Sequence, residues 1–308
     1  MTGPDGSAAA SAAPSGARLD VRGLRKVYPG SGRSGSGRSG RGRSGSGGAG
    51  APVEAISDLT FEVRPGELVC VVGPSGAGKT TLLRCMAGLL PATSGEVVLG
   101  ESAITGPPEG MAVVLQEYGR SLFPWMTVAQ NVELPLKEKR VTRRRRAELV
   151  RETLAAVGLG DVDGAYPWQL SGGMQQRVAI ARAAAYEPRV LLMDEPFAAV
   201  DAQTRFDLED LVRALWKRLG ITVVFVTHDI DEAIYLGERV LVLSARPTVV
   251  LEDVEVGLGP DRDQLETRGT AEFARLRTHV YELVQQAKQG VRSLAAARLT
   301  HTVGGADV

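Results

Sequence analysis

The stretch Gly73-Pro74-Ser75-Gly76-Ala77-Gly78-Lys79-Thr80-Thr81 constrains this chain more than any other. It has the form Gly-x-x-x-x-Gly-Lys-Thr. Before it runs Glu67-Leu68-Val69-Cys70-Val71-Val72, a short apolar run rich in β-branched residues. After it runs Leu82-Leu83-Arg84-Cys85-Met86-Ala87-Gly88-Leu89-Leu90, with apolar residues at helical spacing. Strand, glycine loop and helix is the context this pattern needs to hold phosphate. A helix N-terminus offers unpaired N–H groups and a partial positive charge. Glycines let the backbone wrap closely around phosphate oxygens. Lys79 adds a full charge near the β- and γ-phosphates, and the Thr80 hydroxyl can ligate Mg²⁺. A glycine turn that binds nothing would not require the strand and the helix on either side.

A chain of 308 residues can bury a sizeable core. Lys plus Arg and Asp plus Glu stand at 36 each, so no global field points to nucleic acid or an acidic membrane. The two cysteines, Cys70 and Cys85, sit in apolar patterns and read as buried free thiols, which fits a reducing, cytosolic compartment. No apolar run approaches about 18 residues, so no segment spans a bilayer, and the N-terminus lacks the apolar stretch of a secretory signal. If the chain serves a membrane process, it does so from the cytoplasmic face with other chains.

Residues 1–17 are low in complexity and read as disordered. Leu19 to Tyr28 and Val53 to Val63 read as two strands. Between them, residues 30–50 are almost entirely Gly and Ser with Arg33, Arg38, Arg41 and Arg43, a long solvated loop. Its root-mean-square reach is about 25 Å. Its closure costs roughly 2 kcal/mol more than a tight turn. With no aromatic to stack a base, the tract does not read as a nucleic-acid binder. Thr93 to Gly100 is a turn and strand. Met111 to Leu115 is a further strand ending at Gln116, a candidate metal or water ligand or, alternatively, an edge residue bonded to backbone. Leu122-Phe123-Pro124-Trp125-Met126 is either local core or an apolar surface for a partner. Lys137 to Arg146, with Arg143 to Arg146 contiguous, opens a helix through Val157, and the arginines read as its solvated face.

The Ser171-Gly172-Gly173 stretch caps another helix and leaves N–H groups at its positive end, a second anion site. Val190 to Met193 is a wholly apolar strand that ends in Asp194 and Glu195. Adjacent buried carboxylates without a cation are expensive, so a Mg²⁺-nucleotide is their natural partner, with Asp194 on the metal side and Glu195 free to act on a water. Asp201 starts a helix to Leu219. Thr222 to Val226 ends at Thr227-His228-Asp229. A lone strand-end histidine is usually structural, but His228 holds the same relation to the sheet as Gln116 and Glu195, which favours a γ-phosphate contact. Val240 to Leu243 and Thr248 to Val256 close the sheet, residues 272–288 form an amphipathic helix, and residues 291–308 read as disordered.

Across roughly residues 18–256 the chain resembles the ATP-binding subunit of ABC transporters. The elements stand in the family's order: the phosphate loop at 73–81, Gln116, the signature Leu170-Ser171-Gly172-Gly173-Met174-Gln175-Gln176-Arg177, the strand ending at Asp194-Glu195, Asp201, and His228. The signature separates this family from kinases and GTPases with the same loop. The resemblance implies an α/β fold with a RecA-like P-loop NTPase core, an N-terminal antiparallel β-subdomain and an α-helical subdomain inserted around 117–175; beyond its span, residues 257–290 read as a helical extension. It implies ATP and Mg²⁺ as ligands. Two copies would pack head to tail, ATP lying between Gly73–Thr81 of one and Ser171-Gly172-Gly173 of the other. Thr80 and Gln116 would hold Mg²⁺, with Asp194 acting through water. Glu195 would be the general base, His228 would contact the γ-phosphate beside Lys79, Asp201 would couple the two sites, and Tyr28 would stack on adenine.

Asp194-Glu195-Pro196-Phe197 resembles importers. Glu117 to Trp125 and Asp201-Ala202-Gln203-Thr204-Arg205 are similar to the nitrate/sulfonate/taurine group. That resemblance implies an ATPase that powers uptake through a separate two-subunit membrane permease fed by an extracytoplasmic solute-binding protein. The alternative is a soluble ABC ATPase acting on nucleic acid or ribosomes, but such chains usually carry two nucleotide domains or a long coiled coil. A nucleotide binder that does not hydrolyse is disfavoured by Glu195 and His228.

Overall fold

The computed structural model describes residues 16–30, 51–116 and 121–303, with side chains through 289. The Gly/Ser/Arg loop and Glu117 to Arg120 lie outside the described residues. The strands are β1 (Leu19–Tyr28), β2 (Val53–Val63), β3 (Leu68–Val72), β4 (Ser94–Leu99), β5 (Ser102–Ala103), β6 (Met111–Val114), β7 (Val190–Asp194), β8 (Thr222–Val226), β9 (Arg239–Leu243) and β10 (Val250–Glu255). The helices are α1 (Lys79–Met86), α2 (Val128–Glu138), α3 (Arg143–Ala156), α4 (Gly172–Ala185), α5 (Ala202–Leu219), α6 (Ile230–Leu236) and α7 (Ala271–Val303).

Two sheets form. One is antiparallel, in the order β2-β1-β4-β5; the other runs β10-β9-β3-β8-β7-β6. In the second, β9, β3, β8, β7 and β6 are mutually parallel, and β10 is the antiparallel edge. Alternation along the parallel strands divides the interior. Val69, Val71, Leu192, Val224 and Leu241 join α1 and the antiparallel sheet in one core. Cys70, Val72, Met193, Phe225 and Val240 face the helices in the other. The period of two makes each parallel strand a wall between two cores, which is why these strands read as unbroken apolar runs. Cys70 and Cys85 are both free and buried.

Several boundaries differ from the sequence expectation. Gly16 and Ala17 are not a disordered tail. Gly16 N–H donates to Gly220 O (2.8 Å), Ala17 N–H to Arg189 O (3.3 Å), and the Thr222 hydroxyl donates to Ala17 O (2.7 Å). Their order comes from distant partners, which local composition does not show. Helix α1 stops at Met86, and Leu89 beyond it is exposed. Lys137 belongs to the end of α2, while α3 starts afresh at Arg143 behind a Thr142 cap. Three of the four arginines there are tied to carboxylates: Arg144 to Glu148, Arg145 to Glu187, Arg146 to Glu133. The last helix runs to Val303, past the point at which composition alone suggests disorder.

Within the 117–175 region, buried Asn131 fixes the segment after Gln116. It accepts from Phe123 N–H (2.8 Å), and its amide donates to the carbonyls of Phe123, Met126 and Thr127. Leu122 is therefore core, while Trp125 is 69% exposed. Arg182 on α4 donates to Ser121 O (2.6 Å) and Ser121 Oγ (2.9 Å), tying that segment to the signature helix.

Candidate functional site

Parallel order places the ends of four neighbouring strands along one edge of the sheet. β3 leads into Gly73, β8 into Thr227-His228, β7 into Glu195, and β6 is followed two residues later by the exposed Gln116. Crevices outside the carboxyl ends of such strands are where open α/β sheets take ligands.

The phosphate loop closes into α1 through Gly78, whose φ of 84° is left-handed. A Cβ there would lie 3.2 Å from Ala55 O and 3.4 Å from Thr248 Oγ1. The Thr248 hydroxyl sits between the carbonyls of Ala55 (2.9 Å) and Ala77, so the loop is braced from behind by β2 and by the residues preceding β10. Ala77 N–H donates to Pro74 O (3.0 Å). Lys79 is buried, and its ammonium donates to Gly73 O (3.0 Å) and Pro74 O (3.3 Å). Burial lowers its affinity for the proton, against the pull of Glu195 and Asp194.

Facing it are the two strand-end acids. Asp194 Oδ1 accepts from the Thr80 hydroxyl (3.3 Å). Burial holds its carboxyl above the usual carboxylate range; the Thr80 bond pulls it down and Glu195 pushes it up. Glu195 has a φ of 44°, in the left-handed region that glutamate rarely adopts. Its N–H donates to Val226 O (2.8 Å). The turn aims the side chain so that Oε2 lies 3.0 Å from His228 Nδ1 and Oε1 lies 3.9 Å from Lys79 Nζ. Beside this pair Phe197, Arg205, Thr227 and Glu232 line a cleft of about 10 Å³, room for roughly one water.

Thr80 and Asp194 supply hard oxygen donors, and a carboxyl held up by burial and by a second acid is one that a divalent cation would draw into its charged form. The donor set fits Mg²⁺. No cluster of three or more His, Cys, Asp or Glu with metal-holding geometry occurs among the described residues, so most ligands would come from nucleotide and water.

The structure brings together Lys79, Thr80, Asp194, Glu195 and His228. The Tyr28 hydroxyl lies 3.2 Å from Thr81 Oγ1, which sets this residue at the first turn of α1. Ser171, Gly172 and Gly173 do not join them: no hydrogen bond or ion pair links these three to the phosphate loop among the described residues. Ser171 caps α4 by accepting from Met174 N–H (3.3 Å), and Gly173 packs against Thr204 so closely that a Cβ would lie 2.5 Å from its methyl. Asp201 caps α5, accepting from Thr204 N–H (2.9 Å) and the Thr204 hydroxyl (2.7 Å), which hold its carboxyl below the usual range.

Sequence reasoning misses four residues that support the site. Asp229 caps α6 and pairs with Arg205 (3.0 Å), which fixes the backbone after His228. Glu232 is buried one turn further on, and burial first, then Glu209 and Asp229, push it up to about 8. Thr248 is the fourth. Asp229 followed by Glu232 is the available signal for a capped helix start; Thr248 carries no local signal.

The ABC transporter family model matches residues 56–198. The chain is 45% identical over 236 residues to an uncharacterised ABC transporter ATP-binding protein of Methanocaldococcus jannaschii, covering 77% of this chain and 86% of that one. It is 44% identical over 216 residues to the nitrate import ATP-binding protein NrtD of Synechocystis, covering 70% and 80%. It is 41% identical over 238 residues to the taurine import ATP-binding protein TauB of Roseobacter denitrificans, covering 76% and 88%. Among solved structures, a dimeric ATP-binding cassette in a post-hydrolysis state bound to ADP and Pi superposes with a TM-score of 0.63 at 29% identity, covering 77% of this chain and 98% of that one. With the phosphate loop, the strand-end acids and the signature helix in one P-loop NTPase fold, the chain belongs to the ABC transporter family, as its ATP-hydrolysing cassette.

Proposed function

We infer that this chain powers uptake of a small solute of the nitrate/sulfonate/taurine kind through a separate membrane permease, working from the cytoplasmic face with a binding protein on the far side. The observation that carries the hydrolytic part is the convergence of Lys79, Thr80, Asp194, Glu195 and His228 at the carboxyl edge of one sheet. The import names of the nitrate and taurine relatives support the direction of transport. No helix among the described residues is long and apolar enough to cross a membrane, so the passage itself would belong to another chain.

In this reading Gly73 to Thr81 wrap the phosphates, with Pro74, Ser75, Gly76, Ala77 and Gly78 giving backbone and Lys79 giving charge. Tyr28 offers its ring to adenine. Thr80, Asp194 and Gln116 would hold Mg²⁺, which supplies charge neutralisation on the phosphate oxygens when bound. Glu195 takes a proton from the attacking water, and His228, 3.0 Å away, orients that carboxylate and meets the γ-phosphate. Ser171, Gly172 and Gly173 stand at the N-terminus of α4, outside the site of their own chain, and serve the nucleotide of a second copy; the dimeric neighbour supports that pairing. Asp201, which caps α5, would couple the two sites.

The test is recovery of the tagged chain from native membranes in mild detergent. A polytopic permease, with or without a solute-binding protein, should co-purify. Recovery with ribosomes or DNA instead would break the transport reading.

A further inference from the structure

A cavity of about 450 Å³ lies against the outer lip of the phosphate loop. Pro74, Ser75, Gly76 and Ala77 form one side; Ala245 and Arg246, from the segment between β9 and β10, and Lys288 of α7 form the other. It shares Pro74 to Ala77 with the cradle described above, but Lys79, Thr80, Asp194 and Glu195 do not line it. Its charge is one-sided. The lining holds two cations, a serine hydroxyl and no carboxylate. Arg246 and Lys288 are exposed, and neither makes a side-chain hydrogen bond or ion pair among the described residues. A Cβ at Gly76 would meet nothing within 4 Å, so the floor is open to a ligand.

We propose that Arg246 and Lys288 hold a phosphate group at the outer lip of the phosphate loop, as an oxyanion site outside the nucleotide cradle. The chemistry is directional. A flexible ammonium and a forked guanidinium placed on separate elements match a multidentate oxyanion. A cation would meet two like charges and no carboxylate there. The site links three pieces: the loop that holds ATP, the segment that carries the Thr248 brace, and the C-terminal helix. Its occupancy therefore ties α7 to the nucleotide site. This goes beyond the transport reading and does not depend on a permease.

The experiment is titration of the full chain with inorganic phosphate, followed by ³¹P NMR line broadening, with the nucleotide cradle saturated by a non-hydrolysable ATP analogue. Phosphate should still bind. Arg246→Ala and Lys288→Ala should each weaken it about tenfold, the double substitution should abolish it, and Arg246→Lys should keep most of it. Both positions are exposed, and unchanged melting temperatures would verify folding. Displacement of phosphate by the analogue, or binding indifferent to all three variants, would overturn the proposal. Two further arms separate the sources of the ligand. Slower release of product phosphate from the wild type than from Lys288→Ala in a single turnover assigns the site to the hydrolysis product. Equal release, with inhibition by added phosphate in the wild type alone, assigns it to phosphate from solution.

Discussion

The Nδ1 of His228 lies 3.0 Å from the Oε2 of Glu195, although the two residues leave different strands, β8 and β7. Strand pairing sets this distance: Asp194 is in register with Val226, so the residues that follow emerge side by side. The pair is thus a product of sheet register.

Replacing Glu195 with Gln keeps the size and removes the base. ATP binding should persist, while steady-state phosphate release should fall by about 10²–10⁴-fold. Nucleotide affinity and turnover measured on the same preparation check this; full turnover would remove Glu195 from the chemistry.

Thr248→Val keeps the shape and removes the hydroxyl between the Ala55 and Ala77 carbonyls. Ala55 O keeps the Thr248 N–H (3.3 Å), but leaving the Ala77 carbonyl without the hydroxyl costs about 1–3 kcal/mol. The melting temperature should fall and ATP affinity should weaken with it, because the brace and the phosphate loop are one structure. Thermal melts with and without nucleotide measure both.

Glu232 gives a pH dependence of definite sign. Its folded pKa is raised to about 8 from the ordinary 4.5, with burial the main cause. The folded state holds the proton where the unfolded chain has released it. The stability this proton contributes is full below about pH 4.5 and is lost as the pH rises through about 8, at roughly 1.4 kcal/mol per pH unit between those limits. In Glu232→Gln this loss should vanish. The difference in melting temperature between the variant and the wild type should therefore widen from pH 5 to pH 8; a constant difference would mean Glu232 is charged in the fold.

Arg268 donates to Glu209 (2.5 Å), whose carboxyl is almost fully buried, and its guanidinium lies 4.8 Å from the Phe206 ring. Arg268→Ala removes the charged partner of that carboxylate and leaves only the Gln264 amide (3.0 Å) donating to it. The expected cost is about 3–5 kcal/mol, read by denaturant unfolding. Glu209→Gln combined with Arg268→Met should recover much of it.

The chemistry of the site is written in short local words. Gly73 to Thr81, Asp194-Glu195 and Ser171 to Gly173 are contiguous, and each lies at the end of an element whose apolar pattern is unmistakable. Helix α2 is masked in the sequence because Pro135 sits inside it, yet Thr127 and Gln130 form a reciprocal capping box that marks its start. The order of Gly16 and Ala17 and the role of Thr248 are invisible locally, because their partners lie far away in sequence: Thr222 bonds Ala17 across 205 residues, and Thr248 bonds Ala55 across 193. That His228 meets Glu195 is legible only as a shared position on a sheet; the contact itself needs the register.

The left-handed backbone at Glu195 carries a lesson for anyone who evolves this protein toward heat resistance. A glycine there would relax the turn and gain about 1 kcal/mol or more. A screen scored on survival of the fold would therefore favour replacement at the one position where the proposed base stands. Selection for robustness and selection for turnover pull this residue in opposite directions, and thermostable libraries of the chain should be filtered for hydrolysis before any clone is kept.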